Sequence, residues 1–160
     1  MNKTTFALGS VGNGTLSIGP RPQTGQLRQW AESLQKQNIS HVVSLIEDSE
    51  VETHNLHNEG SALAALSMAF SRFPIADFGI PDVKAFTELM NDLSQRLKSG
   101  DHIFLHCAGG VGRAGTSASC LLVEHGWDAE DAMAYVSKMR GVASPETPEQ
   151  VAFIRSWKTA

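Results

Sequence analysis

Apolar residues along the chain recur with two periods, one typical of helices and one typical of strands. In residues 24–37 the spacing is i, i+3, i+4 and i+7, which predicts an amphipathic helix buried through Leu27, Trp30, Ala31 and Leu34. Further helices are predicted from Pro81 onward and at 116–126, 128–141 and 147–157. Short runs predict strands at FALGSV (6–11), TLSIGP (15–20), HVVSLI (41–46), RFPI (72–75) and HIFLHC (102–107). The stretch 47–70 is less regular, and its segment ALAALSMAF (62–70) favours helix.

The order of these elements predicts the fold class. After two early strands, strands alternate with helices, which is typical of an α/β protein with a mostly parallel central sheet flanked by helices. The chain has 160 residues, a length that suits one domain with its own core, and no repeat, low-complexity tract or linker divides it. We therefore expect residues 1–160 to form a single domain.

Composition narrows the functional classes. The net charge of −4 gives no electrostatic support to a nucleic-acid partner. No apolar run is long enough for a signal peptide or a membrane span, so we expect a cytoplasmic protein without a membrane partner. The two cysteines do not make a disulfide framework. We therefore expect a globular cytoplasmic domain that is a monomer.

The segment HCAGGVGRAG, which begins at His106, connects a predicted strand to a predicted helix and fits two phosphate-binding devices. The G-x-G-x-x-G pattern of a dinucleotide-binding turn is present at Gly110, Gly112 and Gly115. Cys107 and Arg113 instead form C-x5-R, a cysteine nucleophile with a phosphate-binding arginine. A dinucleotide site needs an acidic residue after the next strand, about 20 residues on, where GWDAEDAMAY is helical instead. The loop also lacks the Lys-Ser/Thr of an ATP-binding loop, so the cysteine interpretation is favoured.

The cysteine interpretation accounts for each residue type in the loop. Glycines let the backbone curl so that successive N–H groups point at one phosphate. Arg113 offers a planar fork for two phosphate oxygens, and the positive end of the next helix adds to the field. That field favours the thiolate of Cys107, which is its nucleophilic form. The predicted substrate-binding residues are Ala108, Gly109, Gly110, Val111, Gly112 and Arg113.

This loop resembles the H-C-x2-G-x-G-R motif of the cysteine-dependent protein tyrosine and dual-specificity phosphatases. The run FPIADFGIPDV, residues 73–83, resembles P-x-x-D-x-G-x-P-D of the kinase-associated phosphatase subgroup. The resemblance covers roughly residues 41–157 and implies a phosphatase fold. It implies catalysis through a phosphocysteine on Cys107, with Arg113 binding phosphate and Asp77 as the general acid. Asp82 is the second candidate for the acid, although its place before a helix favours an N-cap.

Supporting roles follow from the same resemblance. His106 matches the residue before the nucleophile, which orients the loop by hydrogen bonding. Gln150 matches the second glutamine of a Q-T-x-x-Q segment that holds the hydrolytic water. Glu146 stands where the first glutamine would be, so the match is partial. Helix capping by Thr147 with an exposed Gln150 is the alternative.

No metal or cofactor is expected, because the loop amides and Arg113 already neutralise the phosphate charge. His54 and His57 are spaced at i and i+3, but their surroundings do not favour a metal site. Cys120 lies in an apolar helix and is expected to pack in the core. A redox pairing of Cys120 with Cys107 stays open.

Ala114 departs from the motif, in which Ser or Thr follows the arginine. The missing hydroxyl puts the rate of phosphoenzyme breakdown in question. Two functions therefore stay open: a phosphatase for phosphorylated proteins, acting on phosphotyrosine and on phosphoserine or phosphothreonine, and a phosphate-binding or substrate-trapping pseudophosphatase with very slow turnover. The phosphoinositide-directed members of the family that this loop resembles carry extra basic residues inside the loop, and CAGGVG contains none, so the resemblance favours protein substrates.

Overall fold

Residues 3–158, which the computed structural model describes, contain five strands and seven helices. The strands are β1 (Phe6–Val11), β2 (Gly14–Pro20), β3 (His41–Ser44), β4 (Ala69–Arg72) and β5 (His102–Cys107). The helices are α1 (Leu27–Lys36), α2 (Asp48–Thr53), α3 (Glu59–Ala64), α4 (Val83–Lys98), α5 (Arg113–Glu124), α6 (Ala129–Arg140) and α7 (Pro148–Ser156).

The five strands form one mixed sheet in the order β1-β2-β5-β3-β4. Only the β1–β2 pairing is antiparallel, and the other three are parallel, so the predicted mostly parallel sheet is confirmed. The register places Cys107 opposite Pro20 of β2 and His106 opposite Ser44 of β3. Because parallel strands end at the same edge of a sheet, the loops after β2, β3 and β5 meet around Cys107, where ligands bind in open α/β sheets.

The core is built on β5 and α5, the elements on either side of the loop. β5 is buried from Ile103 to Cys107, and α5 is buried from Arg113 to Val123, which confirms the predicted buried helix. Trp30 of α1 packs against Phe104 on one face of the sheet. No helix among the described residues is long and apolar enough to cross a membrane.

The stretch between β3 and α4 differs from its prediction. The helix expected around ALAALSMAF ends at Ala64, and Ser67 has a positive φ of 64°. The chain then enters β4, which begins at Ala69, three residues before the start of the predicted strand RFPI. Hydrogen bonds to β3 explain the shift, because Ala69–Arg72 pair in register with His41–Ser44. The ladder continues past the strand, since the Phe73 N–H donates to the Ser44 carbonyl at 2.8 Å.

Helix ends near the site follow capping rules. The Asp82 carboxylate accepts the N–H of Ala85 at 3.0 Å and caps α4. Thr147 caps α7, with Pro148 in its first turn. Gly141 ends α6 with a φ of 88°, a left-handed conformation that glycine adopts at little cost. α5 begins at Arg113, where the positive end of the helix was expected, so its first turn lies directly against the loop.

Candidate active site

Cys107 ends β5 and lies at the base of the loop, with 2% of its surface exposed. Its Sγ accepts the backbone N–H of Ala114, with 3.4 Å between sulfur and nitrogen. Ala114 is in the first turn of α5, so the free N–H groups and the positive end of this 12-residue helix face the sulfur.

The loop itself is held in shape by close backbone approaches. Gly110 has a φ of 73°, and a Cβ there would overlap the backbone of Gly19 at the end of β2. A Cβ on Gly112 would overlap the carboxylate of Glu146 and press on the amide of Gln150. At Gly110 the positive φ and the backbone overlap require glycine, whereas a larger residue at Gly112 would displace the Glu146 side chain. The loop therefore packs tightly between β2 and the segment before α7.

Arg113 is buried, and its guanidinium is held by Glu50 in a bidentate pair with N–O distances of 2.7 and 2.9 Å. Nη1 also donates to the carbonyl of Ile75 at 2.9 Å. Burial opposes the charge of Arg113, but the hydrogen bonds to Glu50 and the attraction of Cys107 hold its pKa above the ordinary value. The pKa of Glu50 is raised by burial but lowered more strongly by Arg113 and by the Glu47 N–H, so it falls below normal. Both groups of the pair are thus charged at neutral pH.

Asp77 lies on the loop between β4 and α4, and its Oδ1 is 3.1 Å from Nη2 of Arg113. Its side chain is 46% exposed, so the carboxyl faces both the arginine and solvent. The three predicted catalytic residues, Cys107, Arg113 and Asp77, are therefore brought together by the fold. Asp82 is occupied in capping α4 and makes no contact with Arg113.

Gln150 is fully buried, so the alternative of an exposed side chain is wrong. Its Oε1 accepts the N–H groups of Glu146 and Thr147 at 2.9 and 3.2 Å, and its Nε2 donates to the carbonyl of Gly79 at 3.2 Å. Because Gly79 follows Asp77 in the same loop, Gln150 connects the start of α7 to the loop that carries the predicted acid. It also lies beside Gly112 in the phosphate loop, residues 108–112 between β5 and α5.

His106 is fully buried, and its Nε2 is 2.5 Å from Oε2 of Glu59 at the start of α3. Glu59 is 2% exposed, so the pair is shielded from water. The edge of Trp30 packs on the imidazole, with 5.7 Å between ring centroids. The backbone carbonyl of His106 accepts the N–H of Leu45 at 2.9 Å. The residue before Cys107 is thereby fixed through both its side chain and its backbone.

Comparison with known protein families identifies the class of protein to which this site belongs. Residues 9–158 match the family described as PTP-SAK, Swiss Army Knife protein, DSP-PTPase phosphatase domain. The chain belongs to this DSP-PTPase family. The resemblance inferred from the loop and from the FPIADFGIPDV run is confirmed.

Among curated proteins, the DSP-PTPase chain is similar to cyclin-dependent kinase inhibitor 3 of human and rat. The human protein is 32% identical over 87 residues, which cover 53% of this chain and 41% of that protein. The rat protein is 25% identical over 129 residues, covering 79% and 61%. The chain thus matches roughly half the length of these relatives.

Solved structures confirm the α/β phosphatase fold. A kinase associated phosphatase with its catalytic site cysteine substituted by serine superposes with a TM-score of 0.83 at 21% identity, covering 96% of this chain and 94% of that one. Tk-PTP in its active form gives a TM-score of 0.79 at 23% identity over 99% and 98%. A human tyrosine phosphatase-like serine/threonine/tyrosine-interacting protein gives 0.68 at 19% identity over 89% of each chain.

Three residues of the DSP-PTPase site were missed by the sequence analysis. Glu50 holds Arg113, Glu59 holds His106, and Arg140 donates to the carbonyls of Gly110 and Gly109 at 3.1 and 2.9 Å. Each contacts the loop from a distant part of the chain, and none belongs to the motif. A buried arginine in the motif does require a carboxylate partner, and the acidic run EDSEVE after β3 was the available signal for Glu50.

The two cysteines of the DSP-PTPase domain lie in different environments. Cys120 is fully buried in α5, and burial raises the pKa of its thiol far above the ordinary value. It therefore stays protonated and packs as predicted. Both thiols are free rather than disulfide-bonded. Among the described residues, no group of three His, Cys, Asp or Glu side chains is arranged to hold a metal ion.

Glu59→Ala is expected to lower the free energy of unfolding of the DSP-PTPase domain by about 1–3 kcal/mol, because it leaves the buried ring nitrogen of His106 without its hydrogen-bond partner. Glu59→Gln keeps an acceptor oxygen and should cost less. Urea denaturation monitored by tryptophan fluorescence measures both. Glu52→Ala, an exposed acidic residue on α2, is the matched control. Equal losses from Glu59→Ala and Glu52→Ala would show that the buried pair contributes nothing.

Proposed function

We propose that this DSP-PTPase domain is a protein phosphatase that hydrolyses phosphotyrosine, and also phosphoserine and phosphothreonine, through a phosphocysteine intermediate. The observation that carries the proposal is the sulfur of Cys107 beneath the N-terminus of α5, with the Arg113 fork held in the same loop by Glu50. The family match over residues 9–158 supports a single catalytic domain spanning the chain. Protein substrates are supported by the kinase associated phosphatase, whose fold this chain shares.

In the first step, the Cys107 thiolate attacks the phosphorus atom of a phosphate held by the loop amides and Arg113. The S–P bond forms as the P–O bond to the leaving group breaks, and protonated Asp77 donates its proton to the departing oxygen. This role is supported by the exposed face of Asp77, which a substrate can reach, and by its contact with Arg113, the proposed phosphate ligand. The products of this step are the free hydroxyl compound and phosphocysteine.

In the second step, water attacks the phosphorus atom and the S–P bond breaks. The Asp77 carboxylate now accepts a proton from the water, and Cys107 leaves as the thiolate. Gln150 is proposed to orient this water, since its side chain lies beside Gly112 and is bonded to the loop that carries Asp77. Inorganic phosphate is released, and the enzyme returns to its starting state without a metal or cofactor.

A pseudophosphatase is the second candidate, and Ala114 is the observation that favours it. No side-chain hydroxyl at this position can donate to sulfur when the thiolate departs. The nearby Thr116 does not replace it, because its hydroxyl donates to the Gly112 carbonyl at 2.8 Å. The Ala114 N–H is left to stabilise the departing sulfur from 3.4 Å. Release of phosphate from p-nitrophenyl phosphate in the presence of a chelator separates the two functions.

Ala114→Thr is expected to speed phosphoenzyme breakdown by about 10- to 10²-fold, because a hydrogen bond to a charged group contributes about 1.5–3 kcal/mol. Stopped-flow measurements with p-nitrophenyl phosphate should show a burst of nitrophenol in the wild type, followed by a slow steady state. In the variant the burst should shrink while the steady rate rises.

Ala114→Val is the matched control for this change, since valine adds similar bulk without a hydroxyl. It should leave the burst in place. A wild type without a burst, together with a steady rate that Ala114→Thr does not raise, would show that the loop functions without the hydroxyl. A wild type that releases no nitrophenol at all would favour the pseudophosphatase.

A further inference from the structure

A cavity of about 580 Å³ opens beside the phosphate loop. It is lined by the end of β2 and the two residues that follow, Pro20 to Pro22, and by Ala108, the residue after Cys107. Trp30 of α1, Lys3 and Thr4 also line it. The volume is in the range that binds small ligands or side chains, which is roughly 300–1,000 Å³.

The cavity adjoins the predicted active site, with which it shares Ala108. Pro20 is opposite Cys107 in the sheet, and the N–H of Arg21 donates to the Ala108 carbonyl at 3.3 Å. The strand order places β2 on one side of β5, and β3 and β4 on the other. Asp77, which follows β4, is therefore on the opposite side of Cys107 from the cavity. A substrate with its phosphate in the loop would have room for a neighbouring group on the side away from the acid.

The cavity is positively charged although the whole chain carries a net charge of −4. Lys3 and Arg21 line it, no lining residue is acidic, and the remaining polar lining consists mainly of Gln23, Gln26 and Gln29. Arg21 donates through Nη1 to the Pro22 carbonyl at 3.0 Å, and Lys3 lies 5.1 Å from the ring centroid of Phe6. Among residues 3–158 neither cation is paired with a carboxylate, unlike Arg113 and Arg72.

We propose that this cavity binds an anionic side chain of the phosphoprotein substrate close in sequence to the phosphorylated residue. The inference rests on the proposed function of the site. The shared chemistry is a negatively charged oxygen group, either a carboxylate or a second phosphate, which the guanidinium of Arg21 and the ammonium of Lys3 would bind together. Substrates with acidic or doubly phosphorylated segments are thereby selected over neutral ones.

The test measures binding rather than turnover, so that it stands apart from the proposed catalytic activity. Fluorescent phosphotyrosine peptides carry Glu, phosphoserine or Gln at one position, scanned across the neighbours on both sides. Their Kd values are determined with the full chain carrying Cys107→Ser. At one position we expect the Glu peptide to bind about 5-fold more tightly than the Gln peptide, the upper range for one accessible ion pair. A phosphoserine peptide should bind more tightly still, and both preferences should weaken at high salt.

When Arg21→Gln and Lys3→Gln are added to the Cys107→Ser chain, the preference for anionic peptides over the Gln peptide at that position should disappear. Arg28→Gln with Lys36→Gln, which together remove the same two positive charges from exposed positions on α1, is the matched control and should leave it intact. If only the phosphoserine peptide binds more tightly than the Gln peptide, the cavity binds a second phosphate. If the Glu peptide also binds more tightly, the cavity accepts either anion. Equal Kd values at every position, failure of all peptides to bind, or equal loss in the control would overturn the inference. Absence of p-nitrophenyl phosphate turnover in the wild type would instead count against the proposed function alone.

Discussion

Cys107→Ser is expected to abolish turnover of p-nitrophenyl phosphate, with kcat falling by at least about 10²-fold. A serine hydroxyl is not ionised near neutral pH, and the helix that stabilises a thiolate at this position cannot supply the missing nucleophile. The loop amides and Arg113 are unchanged in the variant, so phosphate analogues should still bind. Steady-state kinetics with p-nitrophenyl phosphate, and vanadate binding followed by calorimetry, measure the two properties.

Cys120→Ala is the matched control for the loss of a thiol. Cys120 lies in the core of α5 rather than in the loop, so this variant should retain turnover at a modest cost in stability. A Cys107→Ser protein that keeps more than about a hundredth of the wild-type kcat would exclude the covalent mechanism.

Asp77→Asn is expected to lower kcat/KM, which reports the first step, by roughly 10²-fold or more with aryl phosphates whose leaving groups are poor, because protonation of the leaving oxygen is lost. With good leaving groups the loss should be smaller, since they depart without a proton. A series of substituted phenyl phosphates measures this dependence. The slope of log kcat/KM against the pKa of the leaving phenol should become steeper in the variant.

Asp82→Asn removes a carboxylate from the same segment and serves as the control. Its side chain caps α4 through the Ala85 N–H, and asparagine caps a helix nearly as well as aspartate. The variant should therefore keep its kcat and lose little stability. A large loss of activity in Asp82→Asn, together with a small loss in Asp77→Asn, would assign the general acid to Asp82.

The sequence predicted most of the fold because its helices and strands have strong local signals. α6 begins after a capping aspartate and ends at a glycine, and both ends are where the pattern places them. The failure at 62–70 has a physical cause. The alanines there favour helix locally, but pairing of β4 with β3 outweighs that preference. β4 is a half-exposed edge strand without an apolar run, so periodicity does not reveal it.

The site was predictable as far as its residues are close in sequence. Cys107 and Arg113 belong to one loop, and the run that contains Asp77 is itself a motif. Glu50 and Glu59 were not predictable from local patterns, since they reach Arg113 and His106 across 63 and 47 residues. Their contacts depend on where α2 and α3 cross the end of the sheet. Sequence spacing alone does not specify that placement.

The phosphate loop does not keep its shape alone, because Arg140 connects it to the edge of the sheet. The Arg140 guanidinium carbon lies 3.9 Å from the ring centroid of Phe6 in β1, while its nitrogens donate to Gly109 and Gly110. Fraying of β1 would release the side chain that holds the loop, and opening of the loop would free the side chain that covers β1. Through this side chain, local opening of either segment is expected to favour opening of the other. Firm attachment of the first strand thus contributes to the persistence of the loop's shape.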